Sequence, residues 1–377
     1  MNSRLHSITV KGFKTIYELS DFQPGNLTVL VGPNGAGKSN FISFFRMVSW
    51  ALSGPSKLPL FVGQRGGASK LLHEGPDQTR EIESRLTIQT GSGNNEYRFR
   101  LFYAAGDSLI FADERYRYSR KELAGDAPWR ELGAGHDSPK LMDEAHRDQT
   151  ASVMLSLLKK IKLYQFHNTT ARARIRTKWN VDDSRWLKED AGNIAPVLFR
   201  LREQEGPYYQ RIVDTIRLIL PFFSDFELEP NHGNLMLAWY ERNSDQLFTA
   251  SQASDGMLRV IALITLLLQP ERDLPTVMML DEPELGLHPY AINVIGGLIR
   301  AASKSTQVLV ATQSTTLVDC FGPSDIVIIE REDRRSTFRK LGAEDLNHWL
   351  EEYSLSELWE KNVFGGRPNG HQAAFHS

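Results

Sequence analysis

The chain of 377 residues contains one cysteine, Cys320. A single thiol excludes an intrachain disulfide and a cysteine-rich zinc site, and it fits a reducing compartment. Long apolar runs are missing as well. The longest mainly apolar stretch, Val260 to Leu268, falls far short of the roughly 20 residues a membrane helix needs, so no membrane contact is expected. Residues Met1 to Lys14 lack the uninterrupted apolar core of a signal peptide. Strong charge of either sign is absent too: 44 Lys and Arg against 46 Asp and Glu leave a net charge of −2. Any nucleic-acid contact must then come from a local patch. We find no internal repeat and no heptad array, which excludes an extended coiled coil. With 41% hydrophobic and 24% charged residues, the chain reads as a soluble globular protein, and the cytoplasm is its expected location.

The apolar patterning divides the chain into β-rich and α/β stretches. Leu5 to Val10 alternates weakly, and Leu27 to Val31 is a continuous apolar run. Glu83 to Thr90 and Glu96 to Phe102 alternate polar and apolar around Gly91 to Asn95, which predicts a hairpin. Trp50 to Thr79 is rich in Gly and Pro and reads as a long loop with short helices at most. Pro139 to Leu163 and Asn193 to Leu220 have helical spacing. Helices are then expected at Ser254–Leu268, Pro289–Ser303 and Asp345–Lys361, with strands at Thr276–Leu280, Gln307–Ala311 and Ile326–Glu330. The motif order suggests four parts: a β-rich lobe over 1–135, an inserted, mainly helical subdomain over 136–250, an α/β lobe over 251–342, and a C-terminal helix with a mobile tail over 343–377.

Gly32 to Ser39, GPNGAGKS, is the most informative segment. A glycine, four intervening residues and Gly-Lys-Ser form the phosphate-binding P-loop pattern, here between an apolar run and a helix-like segment. Gly32, Gly35 and Gly37 let the backbone turn its N–H groups toward phosphates, and the new helix points its positive end there. Lys38 can reach the β- and γ-phosphates of ATP, and Ser39 can hold Mg²⁺. The expected nucleotide-contacting residues are Gly32, Pro33, Asn34, Gly35, Ala36, Gly37, Lys38, Ser39 and Asn40.

A second signal lies at Val277 to Glu282, where a buried-type strand ends in Asp281 and Glu282. Ligands of open α/β sheets bind at such carboxyl ends. Asp281 would support Mg²⁺ and Glu282 would polarise the water that attacks the γ-phosphate. A helix cap or turn would also accept the acid pair. Ser254, Asp255 and Gly256 open an apolar helix, either as an ordinary N-cap or as a second anion site. Thr312, Gln313 and Ser314 end a strand, where Gln313 would sense the γ-phosphate or Ser314 would simply cap the next helix. In Glu284 to His288, Gly286 suits a turn and Pro289 the first turn of a helix.

In this order the motifs resemble the ABC-class ATPase heads of the SMC, RecF and OLD families, over roughly residues 1–50 and 250–330. The resemblance implies an α/β P-loop NTPase with an antiparallel β lobe, an inserted helical subdomain and no long coiled coil. It makes Gly32–Ser39 the Walker A loop, Asp281-Glu282 the Walker B pair and Glu284 to His288 the D-loop. Ser254-Asp255-Gly256 becomes the signature that contacts ATP on an opposite subunit, so a head-to-tail homodimer around two ATP molecules, each with Mg²⁺, is implied. A Q-loop glutamine should lie between the β lobe and the insertion; Gln165 is the candidate, as a metal ligand, with His167 beside it. The chain departs from ABC transporters at the signature and in having Thr312-Gln313-Ser314 where they carry a switch histidine. Slow or partner-regulated turnover is therefore expected. The C-terminal runs Trp349 to Tyr353, Leu358 to Asn362 and Gly365 to Pro368 look like stand-alone prokaryotic ATPases of this class. Such proteins are often paired with a nuclease or toprim-like protein in phage defence. No toprim-like acidic cluster or His-rich motif occurs here, so any nuclease would be a separate effector. Two alternatives stay open: a RecF-like DNA-repair ATPase, and an ATP-gated scaffold with negligible hydrolysis. Arg172, Arg174, Arg176 and Lys178 alternate beside aromatic residues and form either a solvated face or a DNA- or RNA-gripping patch.

Overall fold

A computed structural model describes residues 3–122, 125–342, 349 and 352–366. The chain forms two compact units. The first holds residues 1–161 and 311–377, and the second holds Lys162–Val310. The first is therefore discontinuous in sequence, unlike the linear four-part division that motif order suggests.

The N-terminal part of the first unit runs β1 (Arg4–Phe13), β2 (Ile16–Phe22), β3 (Leu27–Val31), α1 (Lys38–Ala51), α2 (Lys57–Gln64), β4 (Glu81–Thr90), β5 (Gly93–Ala104), β6 (Ser108–Arg120), β7 (Arg130–Gly133), α3 (Leu141–Glu144) and α4 (Gln149–Lys159). Six of these strands make an antiparallel sheet in the order β2-β1-β4-β5-β6-β7. The predicted hairpin is present with a tighter turn. Thr90 pairs with Gly93, leaving only Gly91 and Ser92 as the loop. A Cβ on Gly93 would lie 2.2 Å from the Ser119 carbonyl oxygen, so this glycine permits close strand approach rather than marking a turn. The Gly/Pro-rich stretch contains α2, whose Leu58, Phe61 and Val62 are buried.

The second unit runs β8 (Ile161–Tyr164), β9 (Trp179–Asn180), α5 (Ile194–Gln204), α6 (Gly206–Ile219), β10 (Phe223–Glu227), β11 (Asn234–Leu235), β12 (Ala238–Glu241), β13 (Leu247–Thr249), α7 (Asp255–Leu267), β14 (Val277–Asp281), α8 (Pro289–Ala302) and β15 (Gln307–Thr312). The stretch 136–250 holds the helices α3 to α6 together with the strands β8 to β13. Its β-strands are short and pair locally, as in the order β10-β12-β13. Segments of two to five residues carry too few alternations to register as a period. A further order, β15-β14-β8, forms the site-bearing sheet region of this unit, and α7 packs on α5, α6 and α8. Every residue of β14 is buried, as its continuous apolar run predicts.

The chain then returns to the first unit with α9 (Thr315–Val318), β16 (Ile326–Glu332), β17 (Arg335–Lys340) and α10 (Leu355–Glu360). β16 runs parallel to β3 and antiparallel to β17. All five β3 residues are buried, which fixes the strand that feeds the glycine-rich loop. Of the helix expected over Asp345–Lys361, only Leu355–Glu360 is seen, as α10, because the Ser354 cap starts it there and Glu352 and Tyr353 form a turn. Residues 343–348, 350–351 and 367–377, with Arg367, Pro368 and the expected tail, lie outside the described residues.

Candidate nucleotide site

The glycine-rich loop joins β3 to α1 in the first unit. Gly35 and Gly37 have φ of +80° and +124°, backbone that side chains rarely adopt. A Cβ on Gly32 would lie 2.1 Å from the Ile329 carbonyl oxygen, and one on Gly37 2.1 Å from Ser336 Oγ. These glycines are required by neighbouring backbone and side chains. α1 starts at Lys38 with no side-chain cap, which leaves its N-terminus turned to the loop. Lys38 is 5% exposed. Its Nζ donates to the carbonyls of Gly32 at 2.5 Å and Pro33 at 3.1 Å, so the ammonium is already folded over the loop. Asn34, Gly35 and Ser39 are exposed, and Ala36 is buried. Beside the loop, burial pushes the Lys14 ammonium pKa down, with Arg65 and Arg46 adding to the shift.

The acid pair belongs to the second unit. Asp281 closes β14 and is 7% exposed. Gln165 follows β8, and its Nε2 donates to Asp281 Oδ2 at 2.9 Å. His167 Nε2 lies 2.9 Å from the Asp281 carbonyl oxygen. A carbonyl only accepts, so Nε2 carries the ring proton. His167 Nδ1 then accepts from Gln165 Nε2 at 3.1 Å. The segment after β8 and the end of β14 are thereby locked together over 116 residues of sequence. Glu282 follows with φ +44°, the sparsely populated left-handed region that collects at functional sites. A cleft lined by Phe166, His167, Arg259, Asp281 and Glu282 opens here. Next to it, burial pushes the Tyr164 hydroxyl pKa upward, and the Glu189 carboxylate adds to the effect.

Ser254, Asp255 and Gly256 start α7. The Ser254 side chain accepts from the Met257 N–H at 3.2 Å, so the N-cap role is present whatever else the residue does. Asp255 pairs with Arg176 at 3.2 Å. A Cβ on Gly256 would lie 3.0 Å from the Gly286 carbonyl oxygen, so the helix start and the turn after the acid pair are in close contact. His288 caps α8 by accepting from the Tyr290 N–H at 3.3 Å, with Pro289 in the first turn. Ser314 likewise caps α9, while Gln313 is exposed after β15.

Arg259 was not picked out by motif reading. Its Nε donates to the Phe166 carbonyl at 3.2 Å, Nη2 to the His167 carbonyl at 3.2 Å and Nη1 to the Leu285 carbonyl at 2.8 Å. One guanidinium therefore ties α7 to the segment after β8 and to the turn after Glu282. The available signal was a lone arginine inside the otherwise apolar helix from Met257 to Leu268.

The arginine run is divided. Ala173 and Ile175 are buried, while Arg172, Arg174 and Lys178 are exposed. Arg174 pairs with Asp190 at 3.1 Å and lies 4.5 Å from the Trp179 ring centroid. Arg176 turns inward, with its side chain 10% exposed. It donates to the carbonyls of Thr169, Ala250 and Ala253. The four cations do not share a face, because residues 174–176 form a 3₁₀ turn rather than a strand and Arg176 satisfies buried carbonyls.

Among the described residues no group of three or more His, Cys, Asp or Glu is placed to hold a metal ion. The Gln165 amide nitrogen is committed to Asp281, so a metal role for Gln165 falls to its carbonyl oxygen. No helix among the described residues is long and apolar enough to cross a membrane.

The chain is similar to known proteins over part or most of its length. A 96-residue stretch is 35% identical to the chromosome partition protein Smc of Delftia acidovorans, covering 25% of this chain and 8% of that protein. An SMC head bound to the C-terminal winged-helix domain of ScpA superposes with a TM-score of 0.61 at 15% identity, over 92% of this chain and 99% of that one. The SMC head with an extended coiled coil from Pyrococcus furiosus, bound to the C-terminal domain of ScpA, gives 0.57 at 14% identity over 93% and 99%. These likenesses show the fold. Residues 27–319 match the family described as "AAA domain, putative AbiEii toxin, Type IV TA system", and the chain belongs to that family as an AAA-type ATPase with an SMC-head fold.

Proposed function

We propose that the protein binds and hydrolyses ATP, pairs head to tail with a second copy around the nucleotide, and uses that cycle to control an effector. The observation that carries the reading is the hydrogen bond of 2.9 Å from Gln165 to Asp281. It joins a glutamine and an aspartate, far apart in sequence, at the carboxyl end of a buried strand, where α/β sheets do their ligand chemistry. In this reading Gly32 to Asn40 take the phosphates through backbone N–H groups, the α1 N-terminus and Lys38. Ser39 in one unit, and Asp281 with the Gln165 carbonyl in the other, are the groups suited to Mg²⁺, which would neutralise phosphate charge. Glu282 orients and deprotonates the attacking water, and Gln313 senses the terminal phosphate. Ser254, Asp255 and Gly256 present a helix start to ATP bound on the second copy.

The effector is proposed as a separate nuclease in a phage-defence setting. The toxin–antitoxin wording of the family description is compatible with it, and an SMC head bound to another protein supports a protein partner in general. Direct DNA binding through the arginine run is the weaker reading, because Arg176 is spent on carbonyls within the fold. The test is the Glu282→Gln variant with Mg-ATP on size-exclusion chromatography with light scattering. A stable dimer that collapses on nucleotide removal is expected, and a monomer unchanged by ATP would overturn the paired mechanism.

A further inference from the structure

The loop's concave side receives attention in any P-loop, but here its back is held by side chains that no motif contains. Thr15 lies in the turn between β1 and β2, and Ser336 lies on β17 and is 4% exposed. Ser336 Oγ is 2.6 Å from the Ala36 carbonyl oxygen and 2.7 Å from Thr15 Oγ1. Asn40 Nδ2 donates to Thr15 Oγ1 at 2.7 Å. The Ser336 N–H donates to the Thr15 carbonyl at 2.7 Å.

Each hydroxyl has one proton. The Ala36 carbonyl can only accept, so the Ser336 proton goes there. Thr15 Oγ1 lies beside it as a second acceptor within reach of the Ser336 hydroxyl, and the Asn40 amide donates to the same oxygen. The result is a connected chain of contacts: Asn40 fixes the Thr15 hydroxyl, Thr15 abuts the Ser336 hydroxyl, and Ser336 holds the Ala36 carbonyl. Hydrogen bonds in such chains polarise one another.

The consequence follows from peptide geometry. No peptide bond among the described residues is cis, and in a planar trans peptide the C=O and the next N–H point to opposite sides. Pinning the Ala36 oxygen backward onto Ser336 therefore turns the Gly37 N–H forward, to the side where the loop takes its ligand. Among the described residues no acceptor takes that N–H. Gly37 also leaves no room for a side chain, because its Cβ would meet Ser336 Oγ at 2.1 Å and Thr15 Oγ1 at 3.0 Å.

We infer that Thr15 and Ser336 are positioning residues of the phosphate loop, presetting the Ala36–Gly37 peptide so that its N–H faces a nucleotide phosphate before the nucleotide arrives. The inference rests on reading Gly32 to Ser39 as that loop. Neither residue touches the ligand; they act through one peptide plane. Their loss weakens binding without altering the chemical step.

The experiment titrates the full chain with a fluorescent ATP analogue carrying a methylanthraniloyl group, in the presence of Mg²⁺. Thr15→Val and Ser336→Ala are each expected to raise Kd roughly tenfold, the loss of about one hydrogen bond. Thr15→Ser, which keeps the hydroxyl, stays within about twofold of wild type on the same scale. The double variant is expected to be no worse than about the worse single variant, since both break one chain. In steady-state assays KM rises and kcat holds, a split that a general loss of folding would not produce. Thermal melting without nucleotide checks that each variant folds, and Thr15→Val with Thr15→Ser decides alone if Ser336→Ala does not. Wild-type affinity in folded Thr15→Val, or equal loss in Thr15→Ser, overturns the inference. A wild-type chain that binds no analogue overturns the phosphate-loop reading itself, and the inference with it.

Discussion

The glycine-rich loop and the Asp281 region, each proposed to serve nucleotide chemistry, are built in opposite ways. The loop from Gly32 to Ser39 is contiguous, and its defining contacts, such as Lys38 on the Gly32 and Pro33 carbonyls, span six residues or fewer. The Asp281 region is assembled from distant segments: Gln165 and His167 after β8, Arg259 on α7, and Leu285 after the acid pair. A contiguous site can be written into eight residues because backbone conformation does most of the work. An assembled site depends on packing to bring its parts into register. The loop should therefore fail through its own residues and the two hydroxyls that back its Ala36–Gly37 peptide, and the acid region through residues spread over three distant segments.

The largest effect is expected where chemistry and assembly meet. Glu282→Gln should slow turnover roughly 10²- to 10⁴-fold, the range for losing a general base, while nucleotide affinity holds. Single-turnover phosphate release beside equilibrium binding checks it, and a near-normal rate would mean that Glu282 is not the base. Lys38→Ala should weaken ATP binding by about 100-fold through lost charge-assisted hydrogen bonds. It should leave hydrogen exchange around residues 165–167 unchanged. Faster exchange there would break the contrast between a local and an assembled site.

Arg259→Ala tests the opposite pole. Its three carbonyl contacts predict a loss of about 1.5–3 kcal/mol in stability, the scale of hydrogen bonds to a charged donor. Hydrogen exchange should rise at 165–167 and 285–287 even without nucleotide. Gly286→Ala should show a related, smaller loss of about 1–2 kcal/mol, because φ is +73° there and a Cβ would lie 2.5 Å from Arg259 Nη1. Denaturant midpoints measure both. The smallest effect sharpens the view of the arginine run. Exposed Arg174→Ala should change stability by no more than about 0.5 kcal/mol. Buried Arg176→Ala should be clearly worse, since it leaves carbonyls of three residues short of a donor. Equal effects would return Arg176 to the surface set.

Much of this was readable in the chain. The strand, glycine-rich turn and helix around Gly32 to Ser39, the apolar strand ending in Asp281, and the Ser254 and His288 caps all form where the sequence places them, because each depends on neighbours within a few residues. Gln165 was reachable only by family likeness, and its bond to Asp281 bridges 116 positions. The strands β9 to β13 escaped notice because they are too short to carry a period. Arg176 was misplaced for a different reason: charge alone does not say whether an arginine meets solvent or a buried carbonyl.

By itself, then, the sequence determined the loop, its helix and the acid-ended strand, since glycine conformations, caps and buried runs are local properties of the backbone. Tertiary structure alone decided that Arg259 would bind three separated carbonyls and that Ser336, 300 positions from Ala36, would hold its carbonyl. Such contacts arise from packing distant segments together, where a buried carbonyl must find a donor and the sequence does not name which one.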